Sequence, residues 1–219
     1  MNIYLHVEIA ARELDGKLLI ANIAASSGHE VIISDISALM KGIQNGVISP
    51  AVFHTKSLTP SRNKIAQHQF LVDCGFSITS IDEEGGLVDH GYDKFLRARY
   101  SEKTIEQASA VFGWGEEDSE SLKRAYPDQS GKIYKTGSPR ADLWQKRFMD
   151  YWGVPNLAPR KPYLLVSSNM GAANNMRSFH ERIRLERNAG YYDRDPDMFI
   201  RNFGMIAEDY RMIAAFIEA

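Results

Sequence analysis

The sequence holds a single cysteine, Cys74, so neither an internal disulfide framework nor a multi-cysteine zinc site can form. That fits a reducing cytoplasm. Long apolar runs are missing as well: nothing approaches the roughly 18–20 residues that cross a bilayer. The opening MNIYLHVEIAARELD carries acids where a signal peptide carries basic residues. The expected location is therefore the cytoplasm, with any membrane contact peripheral, at the inner face of the plasma membrane. An excess of one charge is also lacking. Lys and Arg number 26 against 28 Asp and Glu, and the net charge of −2 offers no basic field for nucleic acid. Absent too are G-x-S-x-G, the P-loop and G-x-G-x-x-G, which removes support for a hydrolase elbow, an NTPase or a simple dinucleotide site. Solenoid repeats and low-complexity tracts are not found.

What is present is ordinary globular composition, 44% hydrophobic and 25% charged over 219 residues. NIYLHVEI alternates and reads as a first strand. The next segment places Leu14, Leu18, Ala21 and Ala25 on one helical stripe, with Gly28 as the stop. HEVIISD reads as a short strand buried on both faces. A helix over Ile36 to Gln44, a strand at AVFHTK and a helix from about Ser61 to Cys74 follow, the last ended by Gly75. FSITSID and SAVFGWG are the fourth and fifth strands. SESLKRAYP is a helix closed by Pro127, and KIYKTG is the sixth strand. ADLWQKRFMDYWG reads as one helix carrying Trp144, Phe148 and Tyr151 on one face. This alternation predicts an α/β fold: a Rossmann-like parallel sheet covered on both sides.

Residues 1–152 thus form an N-terminal domain. GVPNLAPRKP, 153–162, holds three prolines in ten residues and reads as a linker. Residues 163–219 open with a strand-like YLLVSSNMGAANN. They end with Phe199, Phe203, Ile206, Tyr210, Ile213 and Ile217 at amphipathic-helix spacing. Such a helix needs a surface, on the first domain or in a homodimer. So few elements predict only the beginning of a second Rossmann-like domain.

In open parallel sheets, ligands bind outside the carboxyl ends of the strands. That rim gathers Glu8 and Arg12 after strand one, the acids of IDEEGG after strand four, Trp114 within GWG after strand five, and Arg140 within TGSPRAD after strand six. The triplet Asp82, Glu83 and Glu84 is the main feature. Asp82 suits backbone donors at a strand end. Gly85 and Gly86 make the loop approachable. A carboxylate there can serve as general base, nucleophile or cation stabiliser. Neutralisation by nearby arginines and metal binding are the competing uses. The acids of GWGEED can simply favour a helix N-terminus, and Pro139 and Asp142 can simply begin a helix. His90 lies on the loop beyond the triplet. His6 reads as core and Cys74 as a small buried hydrophobe. SSNMGAANN can offer amides to a phosphate or sugar.

Taken in order, IYLHVEIAARELDGKLLIANIAASSGHEVIISD, IDEEGG, FGWGEED, KTGSPRADLW and YLLVSSNMGAANN resemble the bacterial surface carbohydrate biosynthesis proteins, glycosyltransferases of GT-B architecture. The resemblance spans nearly the whole chain. Thr136–Asp142 is also similar to a motif of the CDP-glycerol glycerophosphotransferases, whose histidine-glycine motif has no counterpart at the triplet. The resemblance implies two Rossmann-like domains across a cleft, the first holding acceptor and supplying a carboxylate, the second holding nucleotide. A histidine-proline segment that grips donor phosphate is absent from these residues.

The expected function is transfer of a sugar from a nucleotide-activated donor, such as a CMP-ulosonic acid, to a glycan or lipid-linked glycan acceptor of capsule or lipopolysaccharide. Glu83 is the first choice of catalytic carboxylate and Glu84 the second, with Asp82 positioning the loop. Substrate contacts fall to Glu8, Arg12, Gly85, Gly86, His90, Trp114, Arg140, Asn169 and Gly171. No metal or other cofactor is expected, because GT-B sites stabilise the leaving phosphate with side chains and helix N-termini. The alternatives are a sugar-nucleotide epimerase of the same fold and a non-catalytic glycan-binding module.

Overall fold

A computed structural model describes residues 1–85, 92–153, 162, 177–190, 192–193 and 197–218. The chain divides into two compact units, Met1–Val154 and Pro155–Ala219. The first is built on six strands: β1 Asn2–His6, β2 Glu30–Ser34, β3 Val52–Thr55, β4 Ser77–Ile81, β5 Ala108–Gly113 and β6 Ile133–Lys135. All pair in parallel, in the order β2-β1-β3-β4-β5-β6. Their connections carry α1 Ala10–Ser26, α2 Ile36–Gln44, α3 Arg62–Asp73, α4 Tyr92–Arg99, α5 Glu102–Gln107 and α6 Glu116–Ala125. After β6 come α7 Pro139–Asp142 and α8 Met149–Trp152.

The architecture is a doubly wound, Rossmann-like α/β sheet. Its order is the flavodoxin-like 2-1-3-4-5 with a sixth strand added, rather than 3-2-1-4-5-6. Right-handed crossovers put α1 on one face and α2 to α6 on the other. The second face holds the main core: Tyr4, Phe53, Ile78 and Val111 from the strands, against Leu39, Leu71, Leu96, Ile105 and Leu122 from the helices. Each of these side chains contributes about 1.5–3 kcal/mol by leaving water. Local chemistry sets the boundaries. The carboxylate of Asp35 accepts from Ala38 N at 2.9 Å and Ser61 Oγ from Lys64 N at 3.3 Å, starting α2 and α3. Gly75 takes φ +86° after α3, the left-handed turn that favours glycine.

Several expectations need correction. Leu18 and Ala25 on α1 are exposed, and the buried face is Glu13, Gly16 and Lys17. Charges rather than leucines point inward, because Lys17 meets Glu83 and Glu13 meets the Glu8 amide there. β2 is an edge strand, and Ile32 is exposed rather than buried on both faces. The predicted helix over ADLWQKRFMDYWG is broken. α7 ends after one turn, and Trp152 Nε1 donates to the Leu143 carbonyl at 2.8 Å, a group that a continuous helix would have used. Trp144 and Tyr151 are exposed. Helices α4 and α5 were not foreseen.

In the second unit, α9 Phe179–Asn188 and α10 Met198–Glu218 are described. The amphipathic helix expected over Asp197 to Glu218 is α10, and Phe179 meets Phe199 and Phe203 at centroid distances of 6.5 and 5.5 Å. The expected strand after the linker, and the linker itself apart from Gly153 and Pro162, lie outside the described residues. Among the described residues no helix is long and apolar enough to cross a membrane.

Candidate functional site

The parallel order brings the carboxyl ends of β1, β3, β4 and β5 side by side, and the sequence loads that edge with charge. At β4 the chain leaves Ile81 and turns through Asp82, Glu83 and Glu84. Asp82 is 2% exposed and holds the turn together: its Oδ1 accepts from Glu84 N at 2.9 Å, and its carbonyl accepts from Gly85 N at 3.1 Å. Arg99, from the end of α4, clamps the same carboxylate with two bonds of 2.7 Å. Burial by itself would make that guanidinium less basic, but the Asp82 bonds prevail and push its pKa up.

Glu83 points inward, 6% exposed, and pairs with Lys17 at 2.8 Å. The Lys17 side chain is wholly buried under α1. Burial lowers its pKa, and Glu83 followed by Glu13 works against that. Glu83 N also donates to the Lys56 carbonyl at 3.0 Å, tying the loop to the end of β3. Glu84 is the outward member: 43% of its side chain is exposed, and its two oxygens reach Arg12 at 3.0 Å and Arg99 at 2.9 Å.

The β1 end joins this network. Glu13, buried in the first turn of α1, accepts from Glu8 N at 2.7 Å and pairs with Arg12 at 2.8 Å. Burial would raise the Glu13 pKa, but the Glu8 amide and Arg12 outweigh it and the result is lowered. Lys56 pairs with Glu8 and lies 3.9 Å from Glu13. Two neutral histidines sit behind the rim. His6 is pushed down to about 4, by burial first and Lys64 second. His54, against the α1 side, is held well below its usual value by burial and then Lys17.

Trp114 closes the β5 end. Its indole N–H donates to the Asp82 carbonyl at 2.7 Å, and its backbone N–H donates to Asp118 at 2.8 Å. The acids of GWGEED, Glu116, Glu117 and Asp118, therefore lie in the first turn of α6, at its positive end. Gly85 lies beneath this ring, where a Cβ would meet Trp114 Nε1 at 3.2 Å. Thr136 N and Gly137 N both donate to the Gly113 carbonyl, at 3.2 and 3.1 Å. That junction carries Arg140 over the Trp114 ring, 5.2 Å from its centroid.

Glu8, Arg12, Asp82, Glu83, Glu84, Gly85, Trp114 and Arg140 thus converge on one edge. Gly86, His90, Asn169 and Gly171 lie outside the described residues. Sequence reasoning missed Lys17, Lys56 and Arg99, and read Glu13, with Arg12, as a solvated or paired charge at a helix start; the two pair here at 2.8 Å. For Lys17 a signal existed: with Glu13 and Gly16 it occupies one face of a helix at i, i+3 and i+4. Arg99 carried none, because its partner lies 17 residues away. Among the described residues no group of three or more His, Cys, Asp or Glu is arranged to hold a metal ion.

Chemically, the edge offers one exposed carboxylate between two guanidiniums, an aromatic face bearing a cation, and two buried acids that fix the loop. Compared with known proteins, the chain matches no family model, no curated protein and no solved structure.

Proposed function

We propose that this chain carries the acceptor-side domain of a GT-B-type glycosyltransferase of bacterial surface polysaccharide synthesis. In this reading the unit Pro155–Ala219 belongs to the nucleotide-sugar side. The observation that carries it is the meeting of IDEEGG, GWG and TGSPRAD at one strand edge, with the triplet divided into two anchored acids and one exposed one. Glu84 rather than Glu83 takes the part of the acting carboxylate, since a base must reach the acceptor hydroxyl. Arg12 and Arg99 hold that carboxylate until substrate displaces one of them. Arg140, held over the Trp114 ring, offers a cation to an anionic substrate. Donor is a nucleotide-activated sugar, such as a CMP-ulosonic acid, and acceptor a glycan or lipid-linked glycan at the inner membrane face.

One observation favours a second reading, a glycan-binding module without turnover: every acid of the triplet already contacts a cation. Transfer assays with panels of nucleotide-sugars and glycan acceptors separate the two. Glu84→Gln is expected to lower turnover by about 10²–10⁴ with the fold intact. Unchanged turnover overturns the assignment of Glu84. Saturable glycan binding without transfer, indifferent to Glu84→Gln, supports the module.

A further inference from the structure

The winding of the sheet reverses between β1 and β3. α1 leaves β1 toward one face and α3 leaves β3 toward the other, which opens a crevice between the two helix starts. The charges already described sit on the α1 and β4 sides of that crevice. Its α3 side has a different character.

Lys64 stands in the first turn of α3, a turn with no acid, where the helix end is itself positive. Arg12, Lys17, Lys56 and Arg99 each contact a carboxylate. Lys64 contacts none among the described residues; it donates to Ser57 Oγ at 3.4 Å. It is half-buried among charges of both signs, Lys56 and Arg99 against Glu8 and Asp82. Burial, then the charge of Lys56, pushes its pKa down to about 8; Arg99 adds to that, while Glu8 and Asp82 oppose it.

Two buried polar groups line the same place. Ser57 is 3% exposed; its oxygen accepts from Lys64 and from Thr59 Oγ1 at 3.4 Å, which leaves its own proton to donate. His6 is 4% exposed and its Nε2 has no hydrogen-bond partner. It projects from the end of β1 to the α3 side, as Tyr4 does two residues earlier, and stacks on Phe53 at 5.9 Å. Thr55 Oγ1 can turn its one proton to His6 Nδ1 at 3.5 Å instead of to the Ser57 carbonyl at 3.4 Å; the neutral ring then carries its proton on Nε2 and adds a donor. A buried polar atom without a partner is costly, and so is a half-buried lysine with no carboxylate in direct contact.

We propose that this crevice binds an oxyanion, a carboxylate or phosphoryl group, through Lys64, Ser57 and His6. The anion supplies the opposite charge that Lys64 lacks and accepts from the serine hydroxyl and the imidazole. Glycosyl transfer is not a premise of this site, and its test reads binding alone.

The test is titration of the isotopically labelled full chain with inorganic phosphate and, separately, acetate, at ionic strength matched with sodium chloride. Amide resonances of His6, Ser57 and Lys64 are expected to shift saturably with one or both probes. Stronger binding of phosphate assigns the phosphoryl class, and stronger binding of acetate the carboxylate class. Lys64→Met is expected to weaken binding about tenfold or more, Ser57→Ala by a smaller factor, and Lys64→Arg to retain it. Lys123→Met, at a half-exposed position of α6 where the lysine pairs with Glu120, serves as the unaffected control. Should Lys64→Met fail to fold by circular dichroism, Ser57→Ala and His6→Asn carry the comparison. No saturable shift with either probe overturns the site. Equal affinity in the folded variants, or shifts scattered over surface lysines and abolished by chloride, identifies an adventitious ion only and overturns it equally.

Discussion

The ammonium of Lys17 lies 2.8 Å from Glu83 Oε1, with the lysine side chain fully buried beneath α1. This pair ties the first helix to the loop after β4. Either charge alone in that place is expensive, because neither water nor a second partner replaces the first. Lys17→Met is therefore expected to cost about 3–5 kcal/mol, measured as a lower urea midpoint. The double variant Lys17→Met/Glu83→Leu should recover a large part of the loss. A double variant no more stable than Lys17→Met alone would show that packing, not charge, holds this contact.

Arg99 presents a planar fork to Asp82 and a third bond to Glu84, geometry that a lysine cannot copy. Arg99→Lys is expected to lower stability by about 1–3 kcal/mol even though the charge is kept. The Glu84 amide, held by Asp82 Oδ1, should exchange hydrogen faster in the variant. Wild-type exchange at that amide would mean Asp82 keeps the turn without Arg99.

Three buried histidines set an acid limit on the fold. His6 is held down to about 4, His68 to about 3 and His54 well below its usual value, with burial the largest cause in each. Below the unfolded value near 6.5 the unfolded chain takes protons that the native state refuses. Stability is thus complete above about pH 6.5 and falls as pH drops toward 4, by up to about 1.4 kcal/mol per unit for each histidine. Chemical denaturation across this range should show the slope, and His68→Leu should reduce it by roughly one histidine's share. An unchanged slope would place the protons elsewhere.

Trp114 holds the Asp82 carbonyl through its indole N–H. Trp114→Phe keeps an aromatic ring and removes that donor, and is expected to cost about 0.5–1.5 kcal/mol, because the Asp82 carbonyl keeps the Gly85 amide as its other donor. Gly113→Ala should be worse tolerated than its size suggests, because the new methyl would collide with the buried Ser119 hydroxyl. Thermal melts of both variants check these orders.

Strand and helix order were legible in the sequence because strand hydrophobicity, Ser61, Asp35 and Gly75 act locally. The rim itself was legible through one topological rule applied to IDEEGG, GWG and TGSPRAD. What escaped depends on distance in space. Arg99 reaches Asp82 only because α4 folds back over the loop. Lys17 is next to Leu18 of the expected stripe, but its partner Glu83 comes from the loop after β4, 66 residues on. The break after α7 was hidden because its reason, the indole of Trp152 reaching the Leu143 carbonyl, is a tertiary contact.

Gly16 of α1 admits the backbone of Arg140 so closely that a Cβ would stand 3.3 Å from its amide nitrogen, and Tyr151 donates to Asp15 at 2.6 Å. The first helix of this unit is therefore roofed by nearly its last residues. During synthesis on a ribosome, α1 emerges early and waits uncovered until α7 and α8 have been made. Assembly of this face cannot follow the order in which the chain appears. It closes only once the residues that bring Arg140 over Trp114 and Tyr151 onto Asp15 have been made.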